Sequence, residues 1–179
     1  MITDYVRDTA ATAAIFGFFA AAWFGWAQDD PPAGWGPLLL TGSIGSMVIA
    51  AVGGLLTWRL WSETTAFDED TSRAFGIVVG IEFGLAALGA VLLAVLKRSE
   101  LIPPWVALIV GLHLFPVAVL LEYPLVHVVA AAVTVIAIAA VPVAGRWSIP
   151  VSAATGAPAG TVLLAAALVS LVAAVARAG

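Results

Sequence analysis

Six long apolar stretches alternate with short polar breaks along the chain, and this alternation sets the expected architecture. The breaks read QDDPPAGW, WSETTAFDEDTSR, KRSEL, EYP and VAGRWS, leaving spans at 10–27, 36–60, 74–96, 102–121, 124–141 and 149–176. The spans approach the roughly 20 residues that a helix needs to cross about 30 Å of hydrocarbon, which favours helices over an alternating-strand barrel. The predicted fold class is all-α, an integral membrane bundle of six transmembrane helices in a single transmembrane domain, 1–179. Connections this short predict antiparallel hairpins, with the EYP turn tightest because Pro124 suits the first turn of a helix.

Composition sharpens the solvent. Hydrophobic residues make up 63% and charged residues 10% of the chain, with a mean hydropathy of +1.10, against about 45 to 50% and about 25% in soluble domains. A soluble globule is excluded. The lack of cysteine removes disulfides, thiolate zinc sites, iron–sulfur clusters and thiol nucleophiles. The net charge of −4 comes from the acidic breaks, and no basic block points to nucleic acid. The expected partners are the lipid bilayer and a homo-oligomer or membrane partner, and no cofactor is expected. No Walker-type phosphate loop is present, which argues against nucleotide-driven work by this chain alone. The n-region MITDYVRD carries no net positive charge, so the first apolar run reads as a retained transmembrane helix rather than a signal peptide.

Tryptophan supports the segmentation. Trp23, Trp26, Trp35, Trp58, Trp61, Trp105 and Trp147 all fall near proposed span ends, where indole rings favour the headgroup level. With the N-terminus inside, Arg7, Arg59, Arg73 and Arg177 oppose Lys97, Arg98 and Arg146, a small excess that leans towards cytoplasmic termini in a prokaryotic cell membrane.

Helices in lipid associate where small side chains let backbones approach. Gly42, Ser46, Ala50 and Gly54 in the second span, and Gly76, Gly80 and Gly84 in the third, recur at four-residue spacing and read as stripes for packing inside the bundle. In the last span, Gly156 and Pro158 predict a kink, or a loop before a shorter helix starting near Pro158, with one long tilted helix bent at the proline as the favoured alternative.

Two ionisable side chains lie deep in spans: Glu82, within GIVVGIEFGLAALGAVLL, and His113, within VGLHLFPVA. Facing lipid, each charge costs about 2.5 to 3.5 kcal/mol, so both are expected to face inward or stay neutral. If the third span rises and the fourth returns, both groups sit about 12 Å in from the same side at 1.5 Å per residue, which predicts a Glu82–His113 hydrogen bond or ion pair. On the helical wheel Glu82 shares a face with Val78, Val79, Leu85, Ala86 and Gly89, nearly opposite the glycine stripe. The third helix should therefore be central, with partners on both flanks. Pro116 strips the Leu112 carbonyl of its helical donor and predicts a kink beside the histidine.

Glu122 and His127 bracket the EYP turn on the same side. Glu122 is expected at the interface, with Arg73 or Arg59 in reach. His127, about one turn into the fifth helix, is also expected at the interface, and as an alternative it offers with Thr134 a relay from the surface towards His113 and Glu82. Other templates fit less well. Ser43 in TGSIGS is a nucleophile candidate only if a histidine and an oxyanion hole stand at its depth. The two histidines differ in depth by about 6 Å, which disfavours a bracketed haem. Glu82, His113 and His127 have the ligand types for a metal without a diagnostic spacing.

The segment VGLHLFPVA, through Gly111, Leu112, His113, Phe115, Pro116 and Ala118, resembles a GLHFFPLA-like element in a later helix of small multi-spanning membrane proteins of bacteria and archaea. The resemblance implies a multi-spanning prokaryotic architecture, draws attention to His113 and Pro116, and supplies no substrate. The leading expectation is a small transporter or channel-like protein with a Glu82 and His113 polar centre. A structural or accessory membrane protein comes second, and an intramembrane enzyme third.

Overall fold

Where solvent gives no hydrophobic drive, the closest backbone approaches decide which helices meet. The computed structural model describes residues 2–178 and forms α1 (Val6–Ala27), α2 (Gly36–Arg59), α3 (Glu69–Val95), α4 (Ile102–Leu120), α5 (Pro124–Trp147) and α6 (Val151–Ala178). All six are long and apolar enough to cross a membrane. The most extensive contact is between α1 and α6, the first and last helices.

The reason lies in their small residues. Helix α1 buries Ala10, Ala13, Gly17, Ala20, Phe24 and Ala27, alternating steps of three and four residues, and α6 buries Ala153, Gly156, Gly160, Leu163, Ala167, Ser170 and Ala174 in the same rhythm. That alternation keeps one seam facing a partner along a slightly supercoiled pair. A Cβ at Gly156 would strike the backbone of Trp23 and Ala27, and one at Gly160 would meet the Phe24 ring at 3.0 Å. The pair is antiparallel, because Arg177 at the end of α6 donates to the Thr3 and Asp4 carbonyls ahead of α1. Helix α6 also packs on α5, α2 and α4, which makes it the centre of the bundle.

Helix α2 joins α1 through Gly42, Ser46, Ala50 and Gly53. A Cβ at Gly17 would lie 2.8 Å from the Ala50 nitrogen, and one at Gly53 would lie 2.7 Å from the Ala14 nitrogen. Gly54, expected in this stripe, is exposed and touches nothing. A strict four-residue repeat advances about 40° past a full turn per step, so after three steps the seam has moved to the residue before it.

Helix α3 departs further from expectation. Gly76, Gly80 and Gly84 are exposed with no neighbour inside the bundle. The helix is peripheral rather than central and packs mainly on α4. Its one fully buried residue among those described is Gly89, which seats the Trp105 ring, while the Trp105 indole donates to the Leu85 carbonyl at 3.2 Å. Helices α2 and α3 do not form the expected hairpin, because the segment between them crosses over the start of α1, where Arg7 and Asp8 hold it. At the start of α3 the Asp68 carboxylate accepts from the Thr71 N–H at 2.7 Å, which caps the helix and holds that carboxyl below the usual carboxylate range.

Three prolines sit inside helices without breaking them: Pro116 in α4, Pro142 in α5 and Pro158 in α6. No loop precedes Pro158, and α5 runs past the expected end at residue 141 to Trp147. Each proline removes a single ladder bond, whereas ending a helix within hydrocarbon would strand several backbone groups. The helices end instead at Lys97, Glu122 and Ser148, all in the left-handed region with φ of 54°, 49° and 52°. After each of the three, a backbone N–H reaches back into the last turn: Arg98 to Leu93, Tyr123 to Ala118 and Ile149 to Ala144.

Trp23 is a further correction to the interfacial reading, since it lies buried at 4% exposure within the core. Trp58, Trp61 and Trp147 stay exposed. Substituting Gly17 by Leu should lower unfolding stability in detergent by about 1 to 3 kcal/mol through overpacking. Gly80→Ala should change it by no more than about 0.5 kcal/mol, and equal effects at the two positions in a denaturation series would contradict this packing.

Candidate functional site

Glu82 occupies the midpoint of α3, and His113 projects from α4 beside it. The Nε2 atom of His113 lies 3.3 Å from Oε2 of Glu82, and the two side chains are 15% and 12% exposed. The Nδ1 atom of His113 is buried with no hydrogen-bond partner among the described residues. Helices α3 and α4 are consecutive and antiparallel, joined by a short turn through a 3-10 segment at Ser99–Leu101, which brings residues of similar depth together. Trp105 on Gly89 holds the same pair of helices in register farther along.

The pair borders open space on both flanks. On one side a cleft of about 260 Å³ separates α3 from α1, and Phe16, Phe19, Phe75 and Phe83 line it with Glu82 and His113. On the other side a groove of about 270 Å³ runs between α3 and α4 past Ile81, Glu82, His113 and Pro116. A third cavity, of about 100 Å³, extends from His113 and Leu114 to Asp8 and Thr12 on α1 under Phe67 and Phe75. Apart from Asp8, Thr12 and His113, its lining is apolar.

Asp8 was not singled out by sequence reasoning. It is 4% exposed, and its carboxylate accepts from the Thr65 hydroxyl and the Ala66 N–H, both at 2.7 Å, with Arg7 Nε 3.8 Å away. The Arg7 side chain also donates to the Trp61 carbonyl at 2.9 Å and lies over the Trp61 ring. These contacts pin the α2–α3 connection across the start of α1. Phe67 then stands edge-to-face on Phe75, at 5.1 Å between centroids, and closes the cavity. The available signal was slight: an acidic residue at the start of an apolar run, followed by Thr9 and Thr12. Its partners lie more than fifty positions away, so no local spacing reveals them.

The remaining candidates do not assemble with the pair. His127 is exposed and stands edge-on to Phe115 with centroids 6.3 Å apart. The Thr134 hydroxyl returns to the Ala130 carbonyl at 2.8 Å and packs against Gly111, so no relay runs from His127 through Thr134. Glu122 is exposed at its left-handed turn, and among the described residues it has no ion-pair partner, Arg59 and Arg73 included. No group of three His, Asp or Glu residues able to hold a metal occurs among the described residues, and His127 is not gathered with Glu82 and His113. The Ser43 hydroxyl accepts from Gln28 and donates to the Ala21 carbonyl, and its role is a link between α1 and α2. A second polar link, Tyr123 hydroxyl to Ser170 hydroxyl at 2.8 Å, is fully buried between the start of α5 and the end of α6.

Comparison with known protein families, characterised proteins and solved structures finds no match.

The Asp8 contacts predict that Asp8→Ala costs about 1.5 to 3 kcal/mol, the range for hydrogen bonds to a charged group, and frees the connection at residues 62–68. Limited proteolysis should then cut that segment before any other, and an unchanged digestion pattern would count against its anchoring by Asp8.

Proposed function

We propose that this chain is a small multi-pass membrane transporter whose proton-exchanging centre is Glu82 with His113. The observation that supports it most is the placement of an acid and a base 3.3 Å apart at mid-span with clefts on both flanks. A carboxylate and an imidazole that share one proton are neutral as a pair whichever of them holds it, so the proton shifts between them without a change of net charge. Adding or removing a proton leaves a full charge in a poorly polar setting, a state costly enough to need a compensating ion. A centre with that property couples proton movement to the movement of another charge.

On this reading the cavity from His113 to Asp8 marks the direction in which the proton leaves, towards the end that holds the termini, and the cleft between α1 and α3 is the face of the centre towards lipid. The proposed location is a prokaryotic cell membrane. Arg7, near the start of α1, and Arg177, near the end of α6, lie at the end that holds both termini, which supports cytoplasmic termini by the small excess of basic residues there.

One observation favours a second reading, in which the pair is a latch for helix packing. Helix α3 is otherwise held with little burial, and Glu82–His113 together with Trp105–Leu85 are its polar attachments to α4. On that reading nothing is carried across the bilayer.

Proteoliposomes separate the two. With Na⁺, K⁺ or tetramethylammonium trapped inside in turn as the counter-charge, an imposed pH gradient should drive proton uptake above the rate of empty vesicles for at least one of them, and Glu82→Gln should reduce it to the empty-vesicle rate while the variant elutes from gel filtration as the parent does. Proton uptake unchanged by Glu82→Gln would sink the transport reading. Independently, a double-mutant cycle between Glu82→Gln and His113→Asn should give a coupling of at least about 0.5 kcal/mol, as expected for residues in contact.

A further inference from the structure

We infer that the cleft between α1 and α3 is a binding site for a small lipophilic organic monocation, admitted sideways from the hydrocarbon and held by Glu82 among phenylalanine rings. The inference rests on the proton-exchanging reading of the Glu82–His113 pair and names what the proton is exchanged for.

The wall chemistry selects the ligand class. Glu82 and His113 are the polar side chains of this cleft, and four phenylalanines, Phe16, Phe19, Phe75 and Phe83, make up much of its lining. The rest of the wall is aliphatic. An anion would meet the carboxylate with no lysine or arginine to receive it. A neutral apolar molecule would leave the carboxylate without a partner once the shared proton departed. A monocation satisfies the carboxylate, and aromatic faces attract it further, an effect that grows when water is excluded.

Position and size narrow the class. Phe19 and Phe83 are 42% and 59% exposed, so the mouth opens on the outer apolar surface of the bundle rather than at a polar end. A strongly hydrated ion such as Na⁺ has no path there, whereas an organic cation dissolved in the bilayer does. The volume of about 260 Å³ lies just under the roughly 300 Å³ at which drug-sized pockets begin. The site therefore suits one aromatic ring or a few short alkyl arms around a quaternary nitrogen.

Charge and proton balance follow directly. With one proton on the pair, the O–H bond of Glu82 or the N–H bond of His113 breaks and the proton leaves through the cavity towards Asp8. The bonding pair stays on the carboxylate oxygen in the first case and on the imidazole nitrogen in the second, and in both the Glu82 carboxylate takes the cation as its counterion, one positive charge in for one out. No covalent bond forms to the ligand. The titratable groups facing the carboxylate are few: His113 from α4, Asp8 from α1 across the adjoining cavity, and none from α6, which contributes Leu163.

The test uses the full chain in lipid nanodiscs with benzyltrimethylammonium and its uncharged carbon isostere, neopentylbenzene. Calorimetry in two buffers of different ionisation enthalpy should show saturable binding with about one proton released per cation. Glu82→Gln should weaken binding about tenfold or more, since it removes the carboxylate that compensates the cation within the cleft, and the combined Phe19→Leu and Phe83→Leu variant should weaken it several-fold. Neopentylbenzene should not compete. Equal binding by Glu82→Gln, competition by neopentylbenzene at equal concentration, or no saturable binding each overturns the inference. If Glu82→Gln does not fold, the phenylalanine variant and the isostere decide alone. Glu82-dependent proton uptake without cation binding removes this site and leaves the proton centre, whereas loss of both removes the reading beneath it.

Discussion

The close backbone approach of α1 and α6 is the contact on which the other helices depend. Alanine, glycine and serine at alternating three- and four-residue steps let two long helices lie along each other, and Gly156 meets the Trp23 and Ala27 backbone where any side chain would collide. In hydrocarbon this kind of fit replaces the hydrophobic drive that folds soluble domains. Once α6 is fixed against α1, it offers its remaining sides to α5, α2 and α4, and the polar bonds Arg177 to Thr3 and Tyr123 to Ser170 close the same end.

What is left over is α3. It has no place against α6, and it leans on α4 through a tryptophan seated on one glycine and through the Glu82–His113 pair. Its separation from α1 is the source of the cleft. The crossing connection at residues 62–68, pinned by Asp8, keeps the start of α3 near the start of α1 while its middle stands apart. A buried carboxylate is costly unless compensated, and here the group beside it is an imidazole 3.3 Å away. Loose packing and a polar pair at the same depth make one feature of the molecule.

Much of this was legible along the chain because the determinants are local. Six apolar runs separated by charged breaks predict six helices, and the helix ends fall within a few residues of expectation except where α1, α3 and α5 extend farther. The depth match between Glu82 and His113 needs only a rise per residue and a short turn. The glycine stripes were less readable. Gly76, Gly80 and Gly84 have the spacing of a packing motif and face no neighbour inside the bundle, whereas Gly53 and Gly156 make contact at under 3 Å to an added Cβ. Spacing shows that a helix could pack closely along a face, and a partner must exist before it does.

The sequence by itself determined an apolar all-helical chain, the number of helices long enough to cross a membrane, the lack of cysteine and the depth at which an acid and a base lie, since each follows from composition or from counting residues along one helix. The tertiary structure alone decided that α6 rather than α3 is central, that Trp23 lies inside, that Asp8 holds a distant connection, and that space opens beside Glu82. These depend on which faces meet, and in a chain where nearly every face is apolar the pattern does not distinguish a face turned to lipid from one turned to a helix. Only the fit of small residues between particular helices does.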